Sequence, residues 1–174
     1  MSVIVAGLLL SGYGDGSGGV ATAAHPGGGQ QTTAPFVSVL NGGGVKDSET
    51  ELVWETSPDP GWHTWGAAPE LFGRDSAPFY CAQKRVGGRM GWRLPSVDEL
   101  ASLIEPSIAG PGLSLPAGHP FRQVQTDAPY WSASLVPSDY RTFVVLFGGG
   151  DVQLSSLGST LHVWCVRGPV VAEK

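Results

Sequence analysis

The spacing of hydrophobic and polar positions changes several times along this chain, and each change predicts an element. Phe36-Val37-Ser38-Val39-Leu40 is a short apolar run closed by Asn41-Gly42-Gly43-Gly44, so it reads as a strand ending in a turn. Leu52-Val53-Trp54-Glu55 predicts a second strand. From Thr56 to Ser76 the pattern lapses into Pro, Gly and Trp with no period, which predicts an irregular segment. Helical spacing returns over Ser76 to Arg85, where Asp75 or Ser76 is placed to cap, Pro78 suits the first turn, and Lys84 and Arg85 favour the negative end of the dipole. Gly87-Gly88 should end that helix.

The next element has the clearest local signal. In Trp92-Arg93-Leu94-Pro95-Ser96-Val97-Asp98-Glu99-Leu100, Pro95 biases Leu94 to an extended backbone, and Ser96 with Glu99 completes a reciprocal capping box. A helix over Val97 to Ile104 follows, with Leu100, Leu103 and Ile104 as its apolar face and Pro106 beyond its end. Residues 109–128 should form a long ordered loop. The last third then reads as strands: Tyr130–Ser134, Thr142–Phe147, Val152–Ser155 and Leu161–Arg167, with Gly148-Gly149-Gly150-Asp151 as a hairpin turn. Together these predict an α+β domain of two short helices and an antiparallel sheet.

Composition narrows this picture. A chain of 174 residues, 41% hydrophobic, supports one core, and its 26 glycines and 14 prolines favour a loop-rich fold. The expected organisation is a leader over 1–35, a domain over 36–168 and a tail over 169–174. A net charge of −5 argues against general nucleic-acid binding, which depends on a basic surface.

The leader has its own character. Ser2 to Leu10 is apolar but too short for a membrane-spanning helix, and it resembles a signal-peptide core without its basic start. Leu10-Ser11-Gly12-Tyr13-Gly14 resembles a lipoprotein cleavage box with tyrosine where the lipid-bearing cysteine would stand. Cleavage after Ala21-Thr22-Ala23 is the alternative, and a Gly/Ser-rich leader without fixed structure is another. The expectation is export, to the periplasm, the cell surface or beyond.

Cys81 and Cys165 are the only cysteines, and in an exported chain an even count suggests a disulfide; separate buried thiols are the competing reading. Two cysteines supply half a tetrahedral metal site, and His25, His63, His119 and His162 show no ligand spacing. There is no nucleophile elbow or phosphate loop. Of six tryptophans, Trp54, Trp92, Trp131 and Trp164 are expected to be core, packing sheet against helices, while Trp62 and Trp65 lie in the irregular segment and are candidates for an exposed stacking platform. Lys84, Arg85, Arg89 and Arg93 form the single basic cluster.

Several of these segments occur together, and in this order, in one bacterial family: Asn41 to Asp47, Leu52-Val53-Trp54, Trp65-Gly66-Ala67-Ala68, Tyr80-Cys81, Trp92 to Ser96 with Glu99-Leu100, Tyr130 to Ser134, and Trp164 to Arg167. The chain resembles the Legionella collagen-like protein C-terminal domain family over about residues 36–168. It departs from the family between Trp65 and Tyr80, where Pro69, Gly73 and Pro78 interrupt the usual short helix.

The resemblance implies a C-type-lectin-like fold, related to that of the formylglycine-generating enzymes, with a disulfide from helix to last strand. It also implies a secreted or surface role. The calcium-binding triplets of well-known C-type lectins are missing, since Asn41 is the only asparagine; Asp127, Asp139 and Asp151 are the remaining calcium candidates. The expected function is a non-enzymatic extracellular ligand-binding module, for a glycan or protein, with Trp62, Trp65, Lys84, Arg85 and Arg89 as candidate contacts. No cofactor is expected. A structural or oligomerising surface domain and a sulfatase-modifying type of enzyme are the alternatives.

Overall fold

The computed structural model describes residues 35–66, 76–108 and 110–168, all within one compact unit, Thr32–Lys174. The predicted leader and tail, and Asp75 as a cap, lie outside the described residues. Nine strands and two helices follow in order: β1 Phe36–Val39, β2 Gly44–Asp47, β3 Val53–Glu55, β4 Asp59–Thr64, α1 Ala77–Gln83, α2 Val97–Ala101, β5 Tyr130–Leu135, β6 Arg141–Leu146, β7 Asp151–Ser156, β8 Thr160–Val163 and β9 Val166–Arg167. They form two sheets, ordered β1-β2-β3-β9 and β4-β8-β5-β6-β7. The fold is α+β, as the pattern predicts, and its strands pair antiparallel except where β5 runs parallel to β8 at Tyr130 and His162. Among the described residues, no helix is long and apolar enough to cross a membrane.

Two expectations change. The segment from Thr56 to Ser76 is not irregular throughout, because β4 runs through it despite Pro60 and Gly61. An edge strand tolerates a proline, and β4 pairs with β8 only at Asp59, His63 and Thr64, with a register shift between the first two. The run Leu161–Arg167 is two strands, not one. Trp164 Nε1 donates to the Glu55 carbonyl at 2.9 Å and the Cys165 amide donates to the Glu55 carboxylate at 3.0 Å. These bonds take the chain out of one sheet and into the other, where Val166 pairs with Trp54.

The period of two in β5 and β6 explains the core. Neighbouring residues face opposite sides, so Tyr130 and Val145 join one cluster with Trp54, Trp164, Phe147 and Leu100, while Trp131 and Val144 join another with Trp92, Leu94, Cys81 and Cys165. The sheet is thus buried on both faces at its centre, which is why these strands read as continuous apolar runs. Trp164 is the hub of the first cluster, with Phe121, Phe147, Trp54 and Tyr130 packed around it at centroid distances from 4.9 to 5.8 Å.

The capping box forms as expected: Glu99 N donates to Ser96 Oγ at 3.1 Å and Ser96 N donates to Glu99 Oε2 at 2.8 Å. The helix is shorter than predicted, with Leu103 N and Ile104 N making three-residue turns to Leu100 and Ala101. Leu100 and Leu103 are still buried, as that face requires. Helix α1 also ends early, at Gln83, because Lys84 turns extended to reach Glu55, Nζ to Oε1 at 2.6 Å. Gly87-Gly88 instead makes the turn of a small bridge between Val86 and Arg89. The expected hairpin turn joins β6 to β7, and the close approach there is at Gly148, where a Cβ would lie 2.2 Å from the Thr126 carbonyl oxygen.

Candidate functional site

The disulfide is the fixed point around which the exposed groups are arranged. Cys81 on α1 and Cys165 between β8 and β9 are bonded to each other, 84 residues apart in sequence. The bridge holds α1 against the sheet and brings Tyr80 on the helix, and Lys84 just past its end, to β3 and β4. There the Tyr80 hydroxyl donates to the Asp59 carboxylate, the His63 ring lies 4.3 Å from the Tyr80 ring, and the Lys84 ammonium sits 4.5 Å over that ring. His63 Nε2 is 3.7 Å from Asp59 Oδ1.

The electrostatics of this network follow from burial and contact. Burial pushes the Glu55 carboxyl up, against the opposing pull of Lys84 and the Cys165 amide. At Asp59 burial acts upward as well, but the Tyr80 hydroxyl, the Gly61 amide, His63 and Lys84 outweigh it, and the carboxyl lies below its ordinary value. Burial, and then the hydrogen bond to Asp59, push the Tyr80 hydroxyl well up, so it serves as a donor. Every charge here is answered by a neighbour, which makes the network a brace for β4.

The outer surface of β4 carries Trp62, 54% exposed, with its ring packed on the His162 imidazole at a centroid distance of 4.4 Å. His162 is itself buried, 5.5 Å from the Tyr130 ring, with Nδ1 3.3 Å from the Gly61 carbonyl and Nε2 3.5 Å from Asp127 Oδ1. An aromatic side chain backed in this way holds its orientation while offering ring surface to a ligand, the arrangement that stacking on a sugar or another ring requires.

The structure separates the other predicted contacts. Trp65 is 8% exposed, and its Nε1 donates to the Ser132 carbonyl at 2.7 Å, so it is core and not a platform. Lys84 is engaged with Glu55 and Tyr80. Arg93 pairs with Glu99, Nη1 to Oε2 at 2.7 Å and Nη2 to Oε1 at 2.6 Å. Of the basic cluster, only Arg85 and Arg89 remain as exposed cations, at the two ends of the 86–89 turn. Next to Arg89 a polar recess of about 390 Å3 is lined by Glu51, Val53, Met90, Gly91, Arg167 and Gly168.

Among the calcium candidates, Asp127 faces His162, Asp139 is 2.5 Å from Arg141, and Asp151 opens β7, each in a different surrounding. Among the described residues no group of three or more His, Cys, Asp or Glu side chains is placed to hold a metal ion. Sequence reading missed Glu55, Asp59, His63, Tyr80 and His162, whose contacts come from segments far apart in the chain. It also missed an apolar recess of about 360 Å3 between Leu135–Tyr140 and Leu157.

The order of motifs along the chain, now seen as one disulfide-linked fold, corresponds to a known family: residues 43–167 match the profile of the Lcl C-terminal domain. No curated protein and no solved structure matches the chain. The match spans well over half of the 174 residues and includes both cysteines, the capping-box helix and the core tryptophans, and on that basis the chain belongs to the Lcl C-terminal domain family, that of the Legionella collagen-like protein.

Proposed function

We propose that this domain is a non-enzymatic ligand-binding module of an exported bacterial protein, with a C-type-lectin-like fold and a glycan as its ligand class. The observation that carries the reading is Trp62: an exposed indole, braced from behind by a buried imidazole, on a strand that is itself braced by the Asp59–Tyr80 hydrogen bond. One part of the indole covers His162, but more than half of it stays in water, which forgoes much of the gain of burying so large an apolar ring. Arg85 and Arg89 add exposed positive charge on an otherwise acidic chain and favour a ligand with sulfate or carboxylate groups.

The lectin-like reading is supported by the pairing of β3 with β9, which joins early and late parts of the domain, and by the bridge from α1 to the segment before β9. The non-enzymatic reading is supported by the joining of the two cysteines to each other, which leaves neither as a free thiol for cysteine oxidation chemistry. Export is consistent with that bridge, since disulfides persist in oxidising compartments. A glycan array probed with and without calcium tests the proposal. Binding that is lost in Trp62→Ala supports it, and no binding under either condition removes it.

A further inference from the structure

Strands β2, β3 and β9 set three residues in a row, Lys46 opposite Val53 and Val53 opposite Arg167. Directly opposed residues of antiparallel strands share a face, so a cation stands on each side of Val53. The two cations differ in what answers them. Lys46 is closed by Glu51, Nζ to Oε2 at 2.6 Å. Arg167 meets no carboxylate among the described residues. Its Nε donates to the Met90 carbonyl at 2.9 Å, which holds the guanidinium in place and leaves both terminal nitrogens without an acceptor among the described residues.

That guanidinium lines the polar recess of about 390 Å3, a volume within the range of small-ligand sites. The other walls differ in chemistry. Val53 and the half-exposed Met90 supply apolar surface, while Gly91 and Gly168 contribute no side chain. Glu51 adds a carboxylate from a left-handed backbone, φ 62°, a conformation that favours glycine. A glutamate at such a position puts negative charge beside both Lys46 and the recess.

We infer that this recess is a binding site for a terminal monocarboxylate with an apolar group beside it. The carboxylate sits end-on across Arg167 Nη1 and Nη2, and the apolar group lies on Val53 and Met90. Three features select this class. With Nε taken, the guanidinium offers its terminal fork, whose two N–H groups match the two oxygens of a carboxylate. Arg167 is the one side-chain donor among the lining residues, so the third oxygen of a phosphate or sulfate finds no side chain to bond, and the Glu51 carboxylate opposes a second negative charge. Val53 and Met90 reward an apolar substituent over a hydroxylated one. This inference is independent of the Trp62 reading, since Trp62 lies on β4 in the other sheet.

Titration of the full chain with N-acetyl-L-leucine, followed by amide NMR chemical shifts, tests it. The expected result is saturable shifts at Val53, Gly91 and Gly168, with the uncharged N-acetyl-L-leucinamide and inorganic phosphate each weaker by about tenfold or more. Arg167→Gln should lose about tenfold in affinity for N-acetyl-L-leucine. Met90→Ala keeps the test sound if that change disturbs β9, because it retains the carbonyl that holds Arg167. It should weaken N-acetyl-L-leucine more than acetate, which has no side chain to lay on the apolar wall. The same leucine at the end of an acetylated tetrapeptide separates the sources of this chemistry: tighter binding assigns the end of a peptide chain, and equal or weaker binding a free acid. Absence of a saturable shift at the recess overturns the inference. So does equal binding of the amide or of phosphate, or an affinity for N-acetyl-L-leucine that Met90→Ala leaves unchanged.

Discussion

The Glu99 carboxylate receives the Arg93 guanidinium at two points while one of its oxygens also accepts the Ser96 amide, so a single buried side chain both caps α2 and holds the preceding segment, where Arg93 bridges to Val166. Glu99 is 2% exposed. Removing one partner of a buried pair leaves the other charge without its counter-ion, and Glu99→Ala should therefore cost about 3 kcal/mol, with Arg93→Ala close behind. Urea unfolding of the two single variants and the double variant checks this. The double should lose less than the sum of the singles, because the coupling is between these two groups.

The Cys81–Cys165 bridge closes a loop of 84 residues in sequence separation. For a loop of that length the chain-entropy account gives about 4 to 5 kcal/mol of stabilisation through the unfolded state, as an upper figure. Reduction, or the paired Cys81→Ser and Cys165→Ser change, should lower the denaturation midpoint accordingly. An unchanged midpoint would show that the packing of α1 on the sheet is sufficient alone.

Asp59 and Glu55 predict opposite pH dependences. A carboxyl whose value is lower in the folded chain contributes stability above its ordinary value and loses it as pH falls through the lowered one, which is the case of Asp59. Glu55 is raised by burial, so its contribution is complete below its ordinary value and is lost as pH rises through the raised one. Unfolding free energies measured from about pH 3 to 7 should show Asp59→Asn flattening the acid limb. Glu55→Gln should remove part of the decline on the side toward neutrality.

Gly148 is required by space. Its neighbour is the Thr126 carbonyl, 2.2 Å from where a Cβ would be, and backbone there cannot swing aside as a side chain end can. Gly148→Ala should cost about 2 kcal/mol by thermal or urea unfolding, in the range of overpacked sites. Gly88→Ala is a useful contrast, since no atom lies within 4 Å of its Cβ position and only its positive φ of 74° resists the change.

What could be read from the sequence was what is decided locally. The capping box at Ser96 and Glu99 and the glycine turn before Asp151 are signals carried within a few residues, and both appear in the fold. Strand β4 was hidden because Pro60 and Gly61 break the usual pattern, and it exists through pairing with β8 about a hundred residues later. The same distance effect governs the site. Trp62 and Trp65 are equivalent by composition, yet the Ser132 carbonyl draws Trp65 inward while His162 backs Trp62 at the surface. The basic cluster looked uniform along the chain, but Glu55 and Glu99 claim two of its four members.

Trp62 is read as a ligand surface beyond what the fold itself needs. Titration of the glycans retained on an array against wild-type chain and Trp62→Ala, followed by calorimetry, tests this most directly. Trp62→Ala should unfold within about 0.5 kcal/mol of wild type and lose at least about tenfold in affinity, with Trp62→Phe intermediate. Equal affinity in wild type and Trp62→Ala would contradict it, as would a loss of stability large enough to make Trp62 part of the core.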